Sequence, residues 1–295
     1  MSSPPTAPAT SPLGLVAGGG LMPLRVADAA VKTGRGVHCL LLDGWAKPQD
    51  YAAFPHEVIP LGQVGRMKES LRGRGITDLV LAGRVQRPSL MSLRMDAEGA
   101  RMLAKLGARA MFGGDDSLLT AILRLIRDEG FRPLAAQDVL HGLMVEEGQL
   151  AGRPPNEIER ADIARGIAVT WALGAADAGQ GCVVQQGLVL GLEAIEGTDA
   201  MIARAGGLKR EGPGGVLVKL VKPRQDIRAD LPVIGPDTVR HAAAAGLAGI
   251  AIEAKSGNAG TLVVDRDETV KAAEAAGLFL VAIRPKDFIA KESGR

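Results

Sequence analysis

The stretch LGLVAGGGLMPLRVADAAVKTGRGVHCLLLD, residues 13–43, decides the fold of the first half of the chain. Its opening LGLVAG is a short apolar run that ends in glycine, and GVHCLLLD is a second run typical of a buried strand. Between them, LMPLRVADAAVKTG spaces its apolar residues as an amphipathic helix does, and Gly34 marks the end of that helix. Strand, helix and strand in this order predict a parallel α/β unit.

The same alternation continues to about residue 136. The predicted elements are the helix VGRMKESLRGRG, the strand DLVLAG, the helix DDSLLTAILRLIRDEG and the strand FRPLAA. We therefore predict an α/β protein whose N-terminal domain, residues 13–147, is Rossmann-like with a mainly parallel sheet. The preceding residues 1–12 are rich in Pro, Ser and Thr, and we expect them to form a disordered tail.

A linker is predicted at residues 148–157, where glycine, proline and acidic residues interrupt the pattern. The second α/β domain is predicted at residues 158–295, after a helix start capped by Asn156. Its sequence QGCVVQQGLVLGLEAIEG predicts a hairpin with a tight turn, and TDAMIARAGGL predicts a short helix capped by Thr198. The run GGVLVKL predicts a buried strand.

Composition excludes several classes of function. The net charge of +2 gives no basic face for nucleic acid, and an aromatic content of 3% gives no platform for stacking bases. The two cysteines, Cys39 and Cys182, lie in separate apolar runs without the spacing of zinc ligands, which favours reduced core residues in a cytosolic protein. Apolar stretches are too short to span a bilayer, so we expect a soluble protein for which peripheral membrane contact stays open.

Two features of the first half are typical of phosphate binding. Gly18, Gly19 and Gly20 stand at a strand-to-helix turn, where backbone N–H groups can hold an anion; the alternative is a tight turn that simply needs glycine. Pro23 occupies the third glycine position of the dinucleotide-binding fingerprint, which argues against a nicotinamide site. Arg84 follows the strand DLVLAG and can grip phosphate, although a solvated loop arginine explains it too.

The second half carries two segments rich in charge. In LEAIEGTDAM, residues 192–201, Glu193 lies among apolar neighbours, and a buried carboxylate needs a partner, a metal or a proton. In VKPRQDIRADLPVIG, residues 221–235, acidic and basic residues alternate between prolines directly after the strand GGVLVKL. A surface loop rich in ion pairs would also explain the second segment.

If the strand order brings these segments together, they form a site for a metal and a phosphate. Together they would offer Glu193, Asp199, Asp226 and Asp230 as oxygen ligands, which suit Mg²⁺, with Mn²⁺ as a substitute. Lys222 and neighbouring arginines would neutralise phosphate. Carboxylates, a divalent metal and basic groups are the equipment of phosphoryl transfer or phosphoanhydride hydrolysis.

Five segments together resemble one family: LGLVAGGGLMP, LVLAGRVQRP, GGDDSLL, VLGLEAIEGTDAMIARAG and VKPRQDIRADLPVIGPDTV. The chain is similar to the UDP-2,3-diacylglucosamine pyrophosphatases of lipid A biosynthesis, of the two-domain type unrelated to calcineurin-like enzymes. The resemblance implies Mg²⁺-dependent attack of water on UDP-2,3-diacylglucosamine, which yields UMP and 2,3-diacylglucosamine 1-phosphate (lipid X). It also implies a homodimer in the cytoplasm that makes transient contact with the cytoplasmic face of the inner membrane.

The resemblance also implies roles for individual residues. Asp226 matches the essential aspartate of the Q-D-x-R segment, where it would orient water, bind the metal, or do both. The predicted substrate-binding residues are Gly18, Gly19, Gly20, Arg84, Thr198, Lys222, Arg224, Gln225 and Arg228. Two alternatives stay open: a carrier that binds the nucleotide sugar or lipid without catalysis, and a nicotinamide-dependent oxidoreductase.

Overall fold

The structure is a computed structural model that describes residues 11–85, 93–111, 115–140, 142–223 and 231–293. The chain divides into two compact units. The first comprises Met1–Gly113 and Ser117–Leu140, and the second comprises Gly114–Asp116 and His141–Arg295.

The first unit alternates strands and helices. In chain order its elements are β1 (Leu13–Ala17), α1 (Met22–Lys32), β2 (Val37–Leu42), β3 (His56–Ile59), α2 (Val64–Arg72), β4 (Asp78–Ala82), α3 (Ala97–Met111), α4 (Asp115–Asp128), β5 (Arg132–Leu134) and α5 (Ala136–Val139). The opening stretch forms β1, α1 and β2 as predicted. Pro23 sits in the first turn of α1, where its missing N–H costs nothing, and Gly34 follows the helix with φ of 78°.

The sheet of the first unit has five strands in the order β3-β2-β1-β4-β5, and all its pairs are parallel. This confirms the predicted Rossmann-like sheet. The chain proceeds from β1 to one edge and then returns to the other side, so the strand order reverses between β1 and β4. In open α/β sheets, ligands bind at the carboxyl ends of the strands beside such a reversal.

The second unit is also α/β. Its elements are β6 (Gly148–Ala151), α6 (Glu157–Ala175), β7 (Gly181–Gln185), β8 (Leu188–Leu192), α7 (Thr198–Gly206), β9 (Val216–Lys219), β10 (Val233–Ile234), α8 (Pro236–Ala244), β11 (Gly249–Glu253), β12 (Leu262–Val263), α9 (Arg266–Ala275), β13 (Phe279–Ile283) and α10 (Pro285–Ser293).

The main sheet of the second unit has six strands in the order β6-β13-β11-β9-β7-β8. β11 pairs in parallel with both β13 and β9. The pairs of β6 with β13, of β7 with β9 and of β7 with β8 are antiparallel. Alternate residues of β9 enter two separate cores: Leu217 packs with residues of α7 and α8, and Val218 packs with residues of α6. Because β8 and β9 both run antiparallel to β7, their carboxyl ends lie at the same edge of the sheet.

Local chemistry explains the elements that the sequence predicted. The Asn156 side chain accepts a hydrogen bond from the backbone N–H of Glu159 at 3.0 Å, and the backbone N–H of Asn156 donates to the Glu159 carboxylate at 2.8 Å. These two bonds form a capping box at the start of α6. The hairpin of β7 and β8 turns at Gln186 and Gly187, both with positive φ. The Asp162 carboxylate accepts hydrogen bonds from both of their amides, which fixes this turn.

Three expectations need correction. Residues 148–151 of the predicted linker form β6, which pairs with β13 inside the second unit. Ser11, assigned to the tail, accepts a hydrogen bond from Arg35 through its carbonyl. The N-cap of helix α7 is Gly197, whose φ is 80°. The Thr198 hydroxyl donates a hydrogen bond to Glu193 and does not cap the helix. The sequence also gave no indication of the short edge strand β3 or of α3.

Asp78, at the start of β4, forms ion pairs that stabilise the sheet of the first unit. Its buried carboxylate receives two hydrogen bonds from Arg132, both at 2.7 Å, and a further contact from Arg35 at 2.5 Å. The hydrogen bonds from Arg132, followed by those from Arg35, hold the pKa of Asp78 below its usual value.

We expect Asp78→Asn to lower the free energy of unfolding by about 2 kcal/mol at pH 7, because two arginines lose a buried anion. Since the folded carboxylate has the lower pKa, its stabilisation is present above the unfolded pKa and is lost as pH falls through the folded pKa. Urea unfolding at pH 7 and pH 3 checks both points. The exposed Asp28, paired with Arg25 at 3.7 Å, is the control, and Asp28→Asn should change stability by less than about 0.5 kcal/mol. Equal losses for the two variants at pH 7 would contradict the expectation.

Candidate functional site

The glycine turn and Arg84 meet at the point of strand reversal in the first unit. The ends of β1 and β4 are neighbours, with Ala17 opposite Ala82. Beyond them, Gly19 and Arg84 exchange backbone hydrogen bonds of 2.9 and 2.8 Å. A Cβ added to Gly18 would lie 2.7 Å from the Arg84 carbonyl oxygen, so this close approach requires glycine.

The amides of this turn are less available than the sequence indicated. Gly18 donates its N–H to the Ala82 carbonyl at 2.8 Å, and Gly19 donates to Arg84. The amides that remain for an anion at this turn are therefore those of Gly20, which has φ of 90°, and of the first turn of α1. The Arg84 side chain is exposed at the same end of the sheet.

In the second unit, three buried polar side chains form one cluster, which we call the Glu193–Thr198–Lys219 cluster. The ammonium of Lys219, the last residue of β9, donates to the Thr198 hydroxyl, and this hydroxyl donates to Glu193 Oε1 at 2.5 Å. Lys219 Nζ also lies 3.7 Å from Glu193 Oε1. Burial without these partners would be costly for each charge, so the three groups stabilise one another.

Gly181 makes room for this cluster. Glu193 follows β8 and Lys219 ends β9, and the first residue of β7 lies between them in the sheet. A Cβ at Gly181 would lie 2.7 Å from Glu193 Oε2, so glycine at this position lets the carboxylate extend across β7 without being displaced. Glu193 Oε2 is buried and accepts no hydrogen bond from the described residues.

The remaining acids of the junction point elsewhere. Asp199 Oδ1 lies 3.3 Å from Nδ1 of His241 on α8. Glu196 accepts a hydrogen bond from Arg204 at 2.7 Å, and this bond lowers the pKa of Glu196. Thus Asp199, in the first turn of α7, faces α8, whereas Glu196 belongs to a surface ion pair.

Residues 220–223, which we call the stem, follow β9 and are held by hydrogen bonds to neighbouring segments. The Leu220 amide donates to the Gln180 carbonyl at 3.0 Å, and the Val221 amide donates to Glu253 Oε2 at 2.9 Å. Burial raises the pKa of Glu253. Lys222 is buried, and its Nζ lies 3.1 Å from Asp177 Oδ1 beyond the end of α6.

The stem leads directly into four of the predicted site residues, Arg224, Gln225, Asp226 and Arg228, which lie outside the described residues. Of the predicted site residues that are described, the structure brings Glu193 and Thr198 together, with Asp199 next to Thr198 in the chain. Within the described ranges, no three or more His, Cys, Asp or Glu side chains are placed to hold a metal ion.

Sequence reasoning missed Lys219, Gly181 and Glu253. Lys219 could have been identified from the sequence, because a lysine inside the otherwise apolar GGVLVKL needs a buried partner. The roles of Gly181 and Glu253 depend on which strands are neighbours, which the sequence did not indicate.

Two other features bear on the function classes considered above. The buried thiols of Cys39 and Cys182 have pKa values raised by burial to about 12 and about 11, so neither is an activated nucleophile. Among the described residues, none of the helices combines the length and apolar character that crossing a bilayer requires.

Nine large apolar side chains are exposed among the described residues, and four of them lie on β8 or in the loops that adjoin α7. These four are Leu188, Leu192, Ile195 and Leu208, and Ile195 is 80% exposed in the loop that joins β8 to α7.

Comparison with known proteins identifies similarity along nearly the whole chain. Residues 12–143 match the model of the LpxI N-terminal domain, and residues 146–281 match that of the LpxI C-terminal domain. The UDP-2,3-diacylglucosamine pyrophosphatase LpxI of Caulobacter vibrioides is 38% identical over 282 residues, which cover 93% of this chain and 98% of that protein.

Solved structures give only weak similarity. A Thermus thermophilus UDP-glucose 4-epimerase in complex with NAD has a TM-score of 0.30 and 16% identity, over 95% of this chain and 92% of its own. The Bordetella bronchiseptica enzyme WbmG in complex with NAD and UDP has a TM-score of 0.29 and 12% identity, over 98% and 95%. These scores are too low to carry information about a ligand.

We expect Gly181→Ala to displace the Glu193 carboxylate, because the added methyl group would overlap Oε2. The lost hydrogen bond and ion pair should lower the free energy of unfolding by about 1–2 kcal/mol. In a Glu193→Ala background there is no carboxylate to displace, so the same change should cost less than about 0.5 kcal/mol. Urea unfolding of the four proteins of this double-mutant cycle measures the coupling, and equal costs in both backgrounds would contradict the arrangement.

Proposed function

Because the chain belongs to the LpxI family, we propose that it hydrolyses the diphosphate of UDP-2,3-diacylglucosamine in lipid A biosynthesis. Water attacks phosphorus, one phosphoanhydride P–O bond breaks, and the products are UMP and 2,3-diacylglucosamine 1-phosphate. The observation that carries this proposal is the match of both domains, together with 38% identity to a protein named as this pyrophosphatase. Similarity to one domain alone would leave the substrate open.

The second unit supports the chemistry of this reaction. A diphosphate diester repels nucleophiles, so positive groups must neutralise the charge that develops on its oxygens. The stem begins at the edge of the sheet where Glu193, Thr198 and Lys219 meet, and it continues into the segment of Asp226. In this proposal Asp226 orients the attacking water, contributes to metal binding, or does both.

The substrate-binding residues act on the diphosphate and the nucleotide. Lys222, Arg224 and Arg228 contact phosphate oxygens, and Gln225 and Thr198 donate further hydrogen bonds. Gly18, Gly19, Gly20 and Arg84 contribute anion binding at the strand reversal of the first unit. For Gly18 and Gly19 this role is the close backbone approach that glycine allows, since their amides are already bonded.

Mg²⁺, or Mn²⁺ as its substitute, is the proposed cofactor, held by Asp226, Glu193 and Asp199. The chemistry of the donor set fits, because these are hard oxygen ligands and the buried Glu193 Oε2 accepts no hydrogen bond from the described residues, whereas Asp199 would have to turn away from His241 to join it. When bound, the metal supplies positive charge to phosphate oxygens and to water. Lys219 stabilises the negative charge on the other oxygen of Glu193.

The lipid part of the substrate implies contact with a membrane surface. We place the protein in the cytoplasm, as a homodimer, with transient contact to the cytoplasmic face of the inner membrane. The exposed residues Leu188, Leu192, Ile195 and Leu208 support an apolar contact surface in the second unit.

The decisive experiment follows UMP release from UDP-2,3-diacylglucosamine in detergent micelles. Asp226→Ala should lower kcat by about 10³-fold, because loss of a group that orients water removes a large part of the catalysis. Substrate should still bind, since the basic residues remain. Asp230→Ala removes a carboxylate from the same segment and is the matched control, with an expected loss below about tenfold.

Three outcomes separate the alternatives. Near-normal turnover by Asp226→Ala would refute the proposed role of this residue. Binding of the lipid by the wild-type protein without UMP release would identify a carrier. Quenching of NADH fluorescence without UMP release would favour the nicotinamide-dependent oxidoreductase.

Metal removal gives a separate test. Dialysis against EDTA should abolish UMP release, and added Mg²⁺ or Mn²⁺ should restore it, whereas Ca²⁺ should restore it poorly because its preferred geometry differs. Glu193→Gln should raise the Mg²⁺ concentration needed for half-maximal activity by about tenfold, because one anionic ligand is lost. The readout is the activation curve of each protein, and full activity after exhaustive EDTA treatment would refute the metal requirement.

A further inference from the structure

Asp177 occupies the position just beyond α6 where the chain leaves the helix. Its amide donates to the Gly174 carbonyl at 3.0 Å, and the next amide, of Ala178, donates to the Leu173 carbonyl at 3.1 Å. These two bonds form a Schellman motif, whose central residue adopts the left-handed conformation. Asp177 accordingly has φ of 53°.

Aspartate is an unfavourable choice at this position. Glycine is the usual residue there, because a side chain in the left-handed conformation crowds the backbone. A negative charge near the carboxyl end of a helix also opposes the helix dipole. Gln186 and Asp265 share this conformation, so what distinguishes Asp177 is the contact that its side chain makes.

What the aspartate supplies is a partner for Lys222. Its Oδ1 lies 3.1 Å from the ammonium of Lys222, whose side chain is only 7% exposed. The backbone of Lys222 is held as well. A Cβ on Gly174 would lie 3.2 Å from Lys222 Cα and 2.8 Å from Pro223 Cδ, so α6 contacts the stem directly.

We propose that Asp177 is a positioning residue for the substrate. Its carboxylate accepts a hydrogen bond from the Lys222 ammonium at 3.1 Å and so restrains where that ammonium meets the diphosphate. This inference rests on the proposed function, in which Lys222 binds phosphate. It adds a residue outside the two charged segments of the sequence.

The test uses Asp177→Gly, with Gln186→Gly as its matched control. Gln186 is likewise a non-glycine residue with left-handed φ, 52°, but it lies at the hairpin turn and its side chain bonds the Glu211 carbonyl. In Asp177→Gly, relief of backbone strain offsets the lost ion pair, so Tm should stay within about 3 °C of wild type. The KM for UDP-2,3-diacylglucosamine should rise about tenfold with a smaller change in kcat. Gln186→Gly should leave KM unchanged.

Asp177→Asn supplies a second variant that retains the left-handed preference and an oxygen acceptor, and its KM should rise only about threefold. If Asp177 were merely structural, Asp177→Gly would lower Tm and leave KM unchanged, which would overturn the proposal. Lys222→Gln tests the underlying role of Lys222: if its KM equals that of wild type, the proposed phosphate contact fails. If Lys222→Gln raises KM and Asp177→Gly raises it by the same factor in both backgrounds, the two residues are uncoupled and only the inference about Asp177 fails.

Discussion

The second unit depends on one buried interaction, in which Lys219 holds the Thr198 hydroxyl and the Glu193 carboxylate together. A buried ammonium and a buried carboxylate are each costly alone, so the cluster forms only if three elements take fixed places. β9 must end beside β7, β8 must end on the other side of it, and α7 must begin above both. Gly181 allows this arrangement, because a Cβ there would come within 2.7 Å of Glu193 Oε2 and displace the carboxylate.

The two units hold their candidate site residues in place through different kinds of contact. In the first, the glycine turn is fixed by backbone hydrogen bonds to the neighbouring strand, so its geometry does not depend on any side chain. In the second, side chains determine the geometry, through the Glu193–Thr198–Lys219 cluster and the contacts of the stem. A side chain at Gly18 would therefore meet fixed backbone atoms, whereas a substitution in the second group acts through contacts between side chains.

The sequence predicted the elements well where one local pattern was sufficient. The βαβ opening, the Asn156 cap and the hairpin turn at Gln186 and Gly187 follow from periodicity and turn chemistry, and the structure confirms them. The prediction that Glu193 is buried and needs a partner is also confirmed. Its actual partner, Lys219, could not be assigned, because the order of β9, β7 and β8 arises from antiparallel pairing that periodicity does not encode.

Other failures have the same physical origin. The amides of Gly18 and Gly19 looked free in sequence, but the bridge to Arg84 that occupies Gly19 joins residues far apart in the chain. The linker prediction failed because the Gly and Pro content around residues 148–157 conceals a short edge strand, whose stability comes from β13 rather than from its own composition. The sequence predicted Lys222 as a phosphate-binding residue from its charge alone. Only the structure reveals that its partner is Asp177, just beyond the end of α6.

The pairing of β6 with β13 has a consequence for how the chain acquires its structure. Among the described residues, β6 is the first strand of the second unit, and its only neighbour in the sheet is the last strand. During synthesis, β6 therefore emerges from the ribosome long before the strand that stabilises it, and it stays unpaired until nearly the whole chain has been made. The second unit is thus closed by contacts of high sequence separation, which form slowly, whereas the local βαβ contacts of the first unit can form during translation.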